Sequence, residues 1–126
     1  MTLSRRQARR QALFLLYQWD LSGQEIGSQF AGEIDAWARG VAETVAGQAG
    51  ELDTRITAAA VGWTADRLGT VERSALRVAV HELETGTVPA EVAINEAVAF
   101  TKRYASEDGA RLVNGILGRI QREGVA

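Results

Sequence analysis

The chain has 126 residues, enough for one domain with a core of its own. It has no cysteine and a single histidine, His81, which excludes disulfides, thiolate metal sites, cysteine nucleophiles and histidine-rich metal clusters. The net charge of −2 hides an asymmetry: residues 1–19 carry Arg5, Arg6, Arg9 and Arg10 and no acid, while residues 20–53 carry seven acids against Arg39 alone. A protein that binds nucleic acid over its whole surface is basic throughout, so this one offers at most a basic patch on a mildly acidic body. No apolar run approaches the roughly 20 residues that span a bilayer. No apolar segment of signal-peptide type follows the N-terminal arginines, and the expected address is cytoplasmic.

The single proline and the abundance of Ala, Glu, Gln, Arg and Leu predict an all-helical fold. The first helix starts at Ser4, which has capping-box spacing to Gln7. Ala8, Ala12, Leu15, Leu16 and Trp19 fall on its core-facing arc, and the four arginines are placed on a neighbouring arc. Those arginines sit at a helix N-terminus, where the macrodipole disfavours cations. A second helix is expected over about residues 30–46, with Ile34, Trp37, Val41 and Val45 at core spacing. A third follows over about 52–65, interrupted by Gly62, which marks a bend or a close approach. Thr70 is placed to cap a fourth helix over 71–85, with Ala75, Leu76, Ala79 and Leu83 inside. Gly86 ends it. Pro89 is placed at the start of a fifth helix, over about 90–104, with Ala93, Ala97, Thr101 and Tyr104 as its stripe. Ser106 caps a last long helix in which Leu112, Val113, Ile116, Leu117 and Ile120 face a groove, and Gly124 closes it.

No glycine-rich phosphate loop, nucleophile elbow or zinc spacing is present in the sequence. Glu82, Glu84, Glu96 and Asp108 are read as solvated or ion-paired rather than as an acid–base pair, so no enzyme, metal or cofactor is expected. The arginine cluster has two readings, a solvated helix end or a patch that contacts phosphates and stacks on unpaired bases. His81 is read on the polar side of its helix with Arg73, Arg77 and Glu84, either as an ordinary surface histidine or as part of a protein interface. Asn95 and Asn114 either tie one helix to another or meet a ligand.

Three segments carry a family resemblance: RRQARRQALFLLYQWD (5–20), LGTVERSALRVAVHEL (68–83) and VPAEVAINEAVAFTKRYASEDGARLVNGIL (88–117). Together they resemble the transcription antitermination factor NusB family. The resemblance implies an all-α fold of about seven helices in two packed helical subdomains, forming a single RNA-binding domain over residues 1–126. It implies a non-catalytic role: binding the single-stranded boxA element of ribosomal RNA transcripts together with ribosomal protein S10 (NusE), within a complex of NusA, NusG and RNA polymerase. Arg5, Arg6, Arg9 and Arg10 then correspond to the RNA-contacting first helix, with Arg6 and Arg9 the most characteristic. Lys102, Arg103, Asp108 and Arg111 belong to the same functional surface, and Glu82, with neighbouring His81, corresponds to the S10-binding position. Four residues depart from the family pattern: His81, where tyrosine is common, Ala99, Gly109, where serine is usual, and Leu112. Gly109 is expected to cost local helix stability. NusB-like domains also precede a methyltransferase domain in some ribosomal RNA enzymes, and that activity is not expected of this chain. The alternative is a protein–protein adaptor or a closed homodimer whose basic helix does not touch RNA.

Overall fold

The structure is a computed structural model and describes residues 2–124. It contains α1 (Arg5–Ser22), α2 (Ala36–Gly47), α3 (Ala49–Ala59), a 3-10 turn (Ala65–Arg67), α4 (Thr70–Thr85), α5 (Ala90–Tyr104) and α6 (Glu107–Glu123). There is no strand among the described residues. The chain divides into two compact helical units between Gln48 and Ala49.

The first unit is α1 packed on α2. Its start obeys the local rule read from sequence. Ser4 Oγ accepts from the Gln7 amide at 3.1 Å, and the Ser4 amide donates to Gln7 Oε1 at 2.8 Å. The two residues thereby satisfy two of the four orphan donors at the helix end. Gly23, at φ 71°, closes α1 in the left-handed region, and its amide donates to the Trp19 carbonyl at 2.9 Å. α2 begins later than the expected residue 30, at the Asp35 cap, whose carboxylate accepts from the Ala38 amide at 3.0 Å. The intervening connection is tied back to α1 by two glutamines seven residues apart. Gln11 donates to the Glu33 carbonyl and accepts from the Asp35 amide at 2.7 Å, while Gln18 donates to the Gln29 carbonyl. A side-chain amide has both donor and acceptor, so it can replace the backbone partners that an irregular segment lacks.

The second unit is built around α4, which packs on α3, α5 and α6. Every residue from Ser74 to Val80 is buried. Leu76, Val80, Val113 and Leu117 form the centre of this core with Ile56. The α5 stripe is small as expected: Ala93, Ala97 and Thr101 are buried, while Tyr104 lies at the exposed end. α3 stops at Ala59 rather than near residue 65, because Gly62 adopts φ 81°, a left-handed turn that a helix cannot include. The segment after that turn is fixed by Arg73, which donates to the carbonyls of Ala65 and Leu68 at 3.1 and 2.9 Å. Gly69 rather than Thr70 occupies the α4 cap position, while α5 runs over Ala90–Tyr104 as expected, with Pro89 at its cap rather than as its first residue. Ser106 caps α6 as expected, accepting from the Gly109 amide at 2.9 Å.

Arg77 lies inside this unit, against its reading as a surface residue. Its guanidinium forms two parallel bonds to Asp53 on α3, Nε to Oδ1 at 2.8 Å and Nη2 to Oδ2 at 2.7 Å. Taking a cation out of water costs several kcal/mol, and a bidentate carboxylate is the partner geometry that offsets it. Asp53→Ala leaves Arg77 buried without that carboxylate. Because Asp53 keeps 30% of its side-chain surface in water, the expected loss is about 2 kcal/mol, below the 3–5 kcal/mol of a fully buried pair. Urea unfolding followed by circular dichroism measures it, and a loss under 0.5 kcal/mol would show the pair to be incidental.

Gly109 packs closely against its neighbours, which its low helix propensity does not reveal. A Cβ there would lie 2.6 Å from Glu72 Oε1, 3.1 Å from Ser106 Oγ and 3.2 Å from Thr101 Cγ2. Gly109→Ala should lose to overpacking, about 1–3 kcal/mol, at least the roughly 1 kcal/mol it gains in helix propensity, so that it does not stabilise the protein. In a Glu72→Ala background the carboxylate no longer obstructs the site, and the penalty should fall to less than half. Equal penalties in both backgrounds would break the assigned coupling.

Candidate nucleic-acid interface

The cationic end of α1 is set by helical phase. At about 100° per residue, Arg9 falls between Leu13 and Leu16, inside the apolar arc, whereas Arg6 and Arg10 fall outside it. The structure follows that arithmetic. Arg6 and Arg10 are exposed, four residues apart and on one side of the helix, and Arg9 is buried with 5% of its surface accessible. The expectation that all four arginines share one solvent-facing arc is corrected at Arg9. Its burial beside Leu13 and Leu16 removes it from the surface on which a phosphate could be held.

Arg5, the first residue of α1, is exposed, and its guanidinium lies over the ring of Trp37 at 4.1 Å from the centroid. Trp37 stands in the first turn of α2 and is half-buried, so its reading as a core residue is also revised. No acidic residue occupies the first turn of α1 or of α2. The start of α1 thus carries exposed arginines on two sides, one of them over an aromatic ring, beside the Asp35-capped start of α2.

The second basic cluster lies in the other unit. Lys102 and Arg103 end α5, where the macrodipole favours cations. Lys102 Nζ approaches Glu107 Oε1 at 3.8 Å, and Arg103 lies 5.4 Å from the Tyr104 ring centroid. Tyr104 in turn packs against Phe100 with centroids 4.8 Å apart. Asp108 and Arg111, both exposed, form an ion pair one turn apart on α6. Val98, Lys102, Glu107, Ala110, Arg111 and Asn114 line an open groove of about 310 Å³. Lys102 and Arg111 are thus brought to one groove, with carboxylates beside both. Such exposed pairs contribute little to stability, which leaves the cations free to exchange partners. Asn95 and Asn114 are both exposed, so neither is a buried tie between helices.

On α4, Glu82 is buried, with 4% of its surface accessible. The expected display of its carboxylate to a protein partner is corrected accordingly. α4 packs on three other helices, and Glu82 is among its buried residues. His81 is half-buried. Burial lowers its pKa from the ordinary value, against a smaller opposing pull from Glu84. Among the described residues, no three His, Asp or Glu side chains converge where a metal could be held. No helix among them is long and apolar enough to cross a membrane.

The fold and this surface define an all-helical protein of two helical units whose first helix presents arginines to solvent. A model described as the NusB family matches residues 6–122. The "Transcription antitermination protein NusB" of Salinispora tropica is 37% identical over 128 residues, covering 93% of this chain and 94% of the relative. The structure of T. maritima NusB superposes with a TM-score of 0.86 at 29% identity, covering 100% of this chain and 96% of the other. A crystal structure of antitermination factors NusB and NusE in complex with dsRNA matches with a TM-score of 0.82 at 32% identity, covering 95% and 97% of the respective chains. The chain belongs to the NusB family.

The lowered pKa of His81 has a consequence for stability. The folded state prefers the neutral imidazole, so the contribution of His81 is complete above the unfolded value near 6.5 and is lost as pH falls through the lower folded value. His81→Asn should flatten the fall in Tm between pH 7.5 and 5. Parallel Tm profiles for the two proteins over that interval would show that His81 does not contribute to the acid sensitivity.

Proposed function

We propose that this protein is a non-catalytic transcription antitermination factor. It binds the boxA element of ribosomal RNA transcripts together with ribosomal protein S10 (NusE). The observation that carries this reading is the exposed pair Arg6 and Arg10, four residues apart on one side of α1, a helix with no acidic residue in its first turn. Arg5 and Arg6, in that first turn, are opposed by the macrodipole, and a phosphate backbone offsets that cost. Arginine also suits RNA through planar, bidentate contacts to phosphate and stacking on bases. The names of the relatives, and the solved complex of NusB and NusE with double-stranded RNA, support the same assignment.

In this reading residues 1–126 act as one RNA-binding domain in the cytoplasm, within an assembly that includes NusA, NusG and RNA polymerase. Arg5, Arg6 and Arg10 contact RNA, joined by Lys102, Arg103 and Arg111, with Asp108 positioning Arg111. Arg9 and Glu82 hold the helices that carry these groups. His81 is the residue of α4 that faces S10. Two surfaces gripping one strand raise affinity beyond either alone, so S10 and this protein bind boxA best as a pair.

Fluorescence anisotropy tests the proposal, using a boxA-like single strand, a scrambled strand and a duplex, with and without S10, at two salt concentrations. The boxA strand should bind in preference to the scrambled strand and tighten with S10. The double variant Arg6→Glu/Arg10→Glu should raise Kd at least tenfold with unchanged helical circular dichroism. Loss of two phosphate contacts should lower the slope of log Kd against log salt by about 1.4, at 0.7 for each contact on a single strand. Arg9→Ala should instead lower Tm. Wild-type affinity in the double variant would remove the patch from the mechanism, and no boxA preference with S10 present would favour the adaptor or closed-dimer reading.

A further inference from the structure

The contact between Arg5 and Trp37 is unusual in its location. Most apolar residues of a short surface helix lie against its partner, and in α2 Ala38, Ala42 and Val45 are fully buried. Trp37 is not among them. It stands in the first turn of α2, half-exposed, and the first residue of α1 lies across its ring at 4.1 Å. That separation is close to the spacing of stacked planar groups. Three and four residues on along the helix, Trp37 has Gly40 and Val41 as surface neighbours, and Gly40 places no side chain beside the indole.

The chemistry of this pair resembles that of a site which grips a flat ligand. A guanidinium over an exposed ring is held weakly, because the cation remains hydrated. An unpaired nucleobase on an aromatic ring is held more strongly, and tolerates any base because each has a π-face. A base entering over Trp37 therefore displaces Arg5 without a net penalty. The planar guanidinium can then stack on the outer face of the base or turn to its phosphate. The Asp35 carboxylate accepts the Ala38 amide at 3.0 Å, which holds it on the end of α2. Arg6, next in the chain, is exposed for the adjoining phosphate.

We propose that Trp37 is the stacking platform for one unpaired RNA base, with the Arg5 guanidinium as the clamp that covers the ring when no base is bound. This rests on the RNA-binding reading above and adds to it a preference for strand over duplex. In a duplex the bases are already stacked and paired, so only a single-stranded or frayed segment can supply an occupant.

The test uses the full chain carrying Trp19→Phe and Trp63→Phe, which leaves Trp37 as the sole tryptophan of the original three. Three RNAs are titrated: a boxA-like single strand, the same strand with abasic positions, and a blunt duplex. Trp37 emission is read together with anisotropy of the labelled RNA. Single-strand binding should quench Trp37, and the abasic strand and the duplex should not. Trp37→Ala should weaken single-strand binding about tenfold and duplex binding less than twofold, while Trp37→Phe should restore most of the loss. RNA binding that depends on Arg6 and Arg10 but leaves Trp37 emission unchanged would overturn the platform and leave the RNA reading intact. A Trp37→Ala protein with lowered Tm and equal losses for strand and duplex would assign Trp37 a structural role only. Absence of RNA binding by either readout would defeat both proposals.

Discussion

The second unit depends on one constraint: α4 is enclosed by α3, α5 and α6, and it is not an all-apolar helix. A central helix covered by three neighbours has no polar face to give to water through its middle turns. Ser74, Arg77 and Glu82 are therefore carried inside with Leu76, Val78 and Val80. Arg77 meets that demand through Asp53, which also fixes the rotation of α3 against α4 because a two-pronged bond admits one geometry. Arg73, one turn earlier, does comparable work on the incoming chain by capturing the carbonyls of Ala65 and Leu68. Polar residues of α4 thus specify how this unit is assembled, while the leucines and valines around them supply most of the driving force.

Helix ends that follow a purely local rule were legible in the sequence. Ser4 with Gln7, Ser106 in front of α6 and Gly86 behind α4 sit where their chemistry places them, because each needs only residues within a turn. The boundaries that shifted depend on partners distant in sequence. The start of α2 depends on Gln11 holding the Asp35 amide from another helix, so the apolar spacing of Ile34 and Trp37 overstated its length. Gly62 was visible as an anomaly, but its positive φ ends α3 rather than allowing another helix to approach.

The candidate site divides along the same line. Charge was legible, since four arginines without an acid in 19 residues require no structure to be noticed. Orientation was legible only in part. Helical phase alone separates Arg9 from Arg6 and Arg10, and treating the four as one cluster concealed it. Phase also puts Glu82 about 20° from Ala75, on the buried stripe of α4, and reading it as a displayed carboxylate passed over that. Trp37 was missed altogether. Its spacing is that of a core residue, and the guanidinium that reveals it belongs to a residue 32 positions earlier.

The two basic clusters carry different weight as evidence for a ligand. Lys102 and Arg103 end α5, where the dipole stabilises them, and Lys102 and Arg111 each have a carboxylate at hand. Their presence needs no external partner to explain it. Arg5 and Arg6 of α1 stand at the opposite kind of helix end, and the serine and glutamine that cap it are neutral. One of them lies on an aromatic ring, and Arg6 and Arg10 face solvent side by side across one turn. A fold selected only for stability would place acids in that turn, and each such replacement would gain several tenths of a kcal/mol, about 0.3–1 at an exposed helix end. That stability is forgone at the place where a polyanion would recover it on binding. This makes the first helix, rather than the α5–α6 groove, the stronger part of the case for RNA.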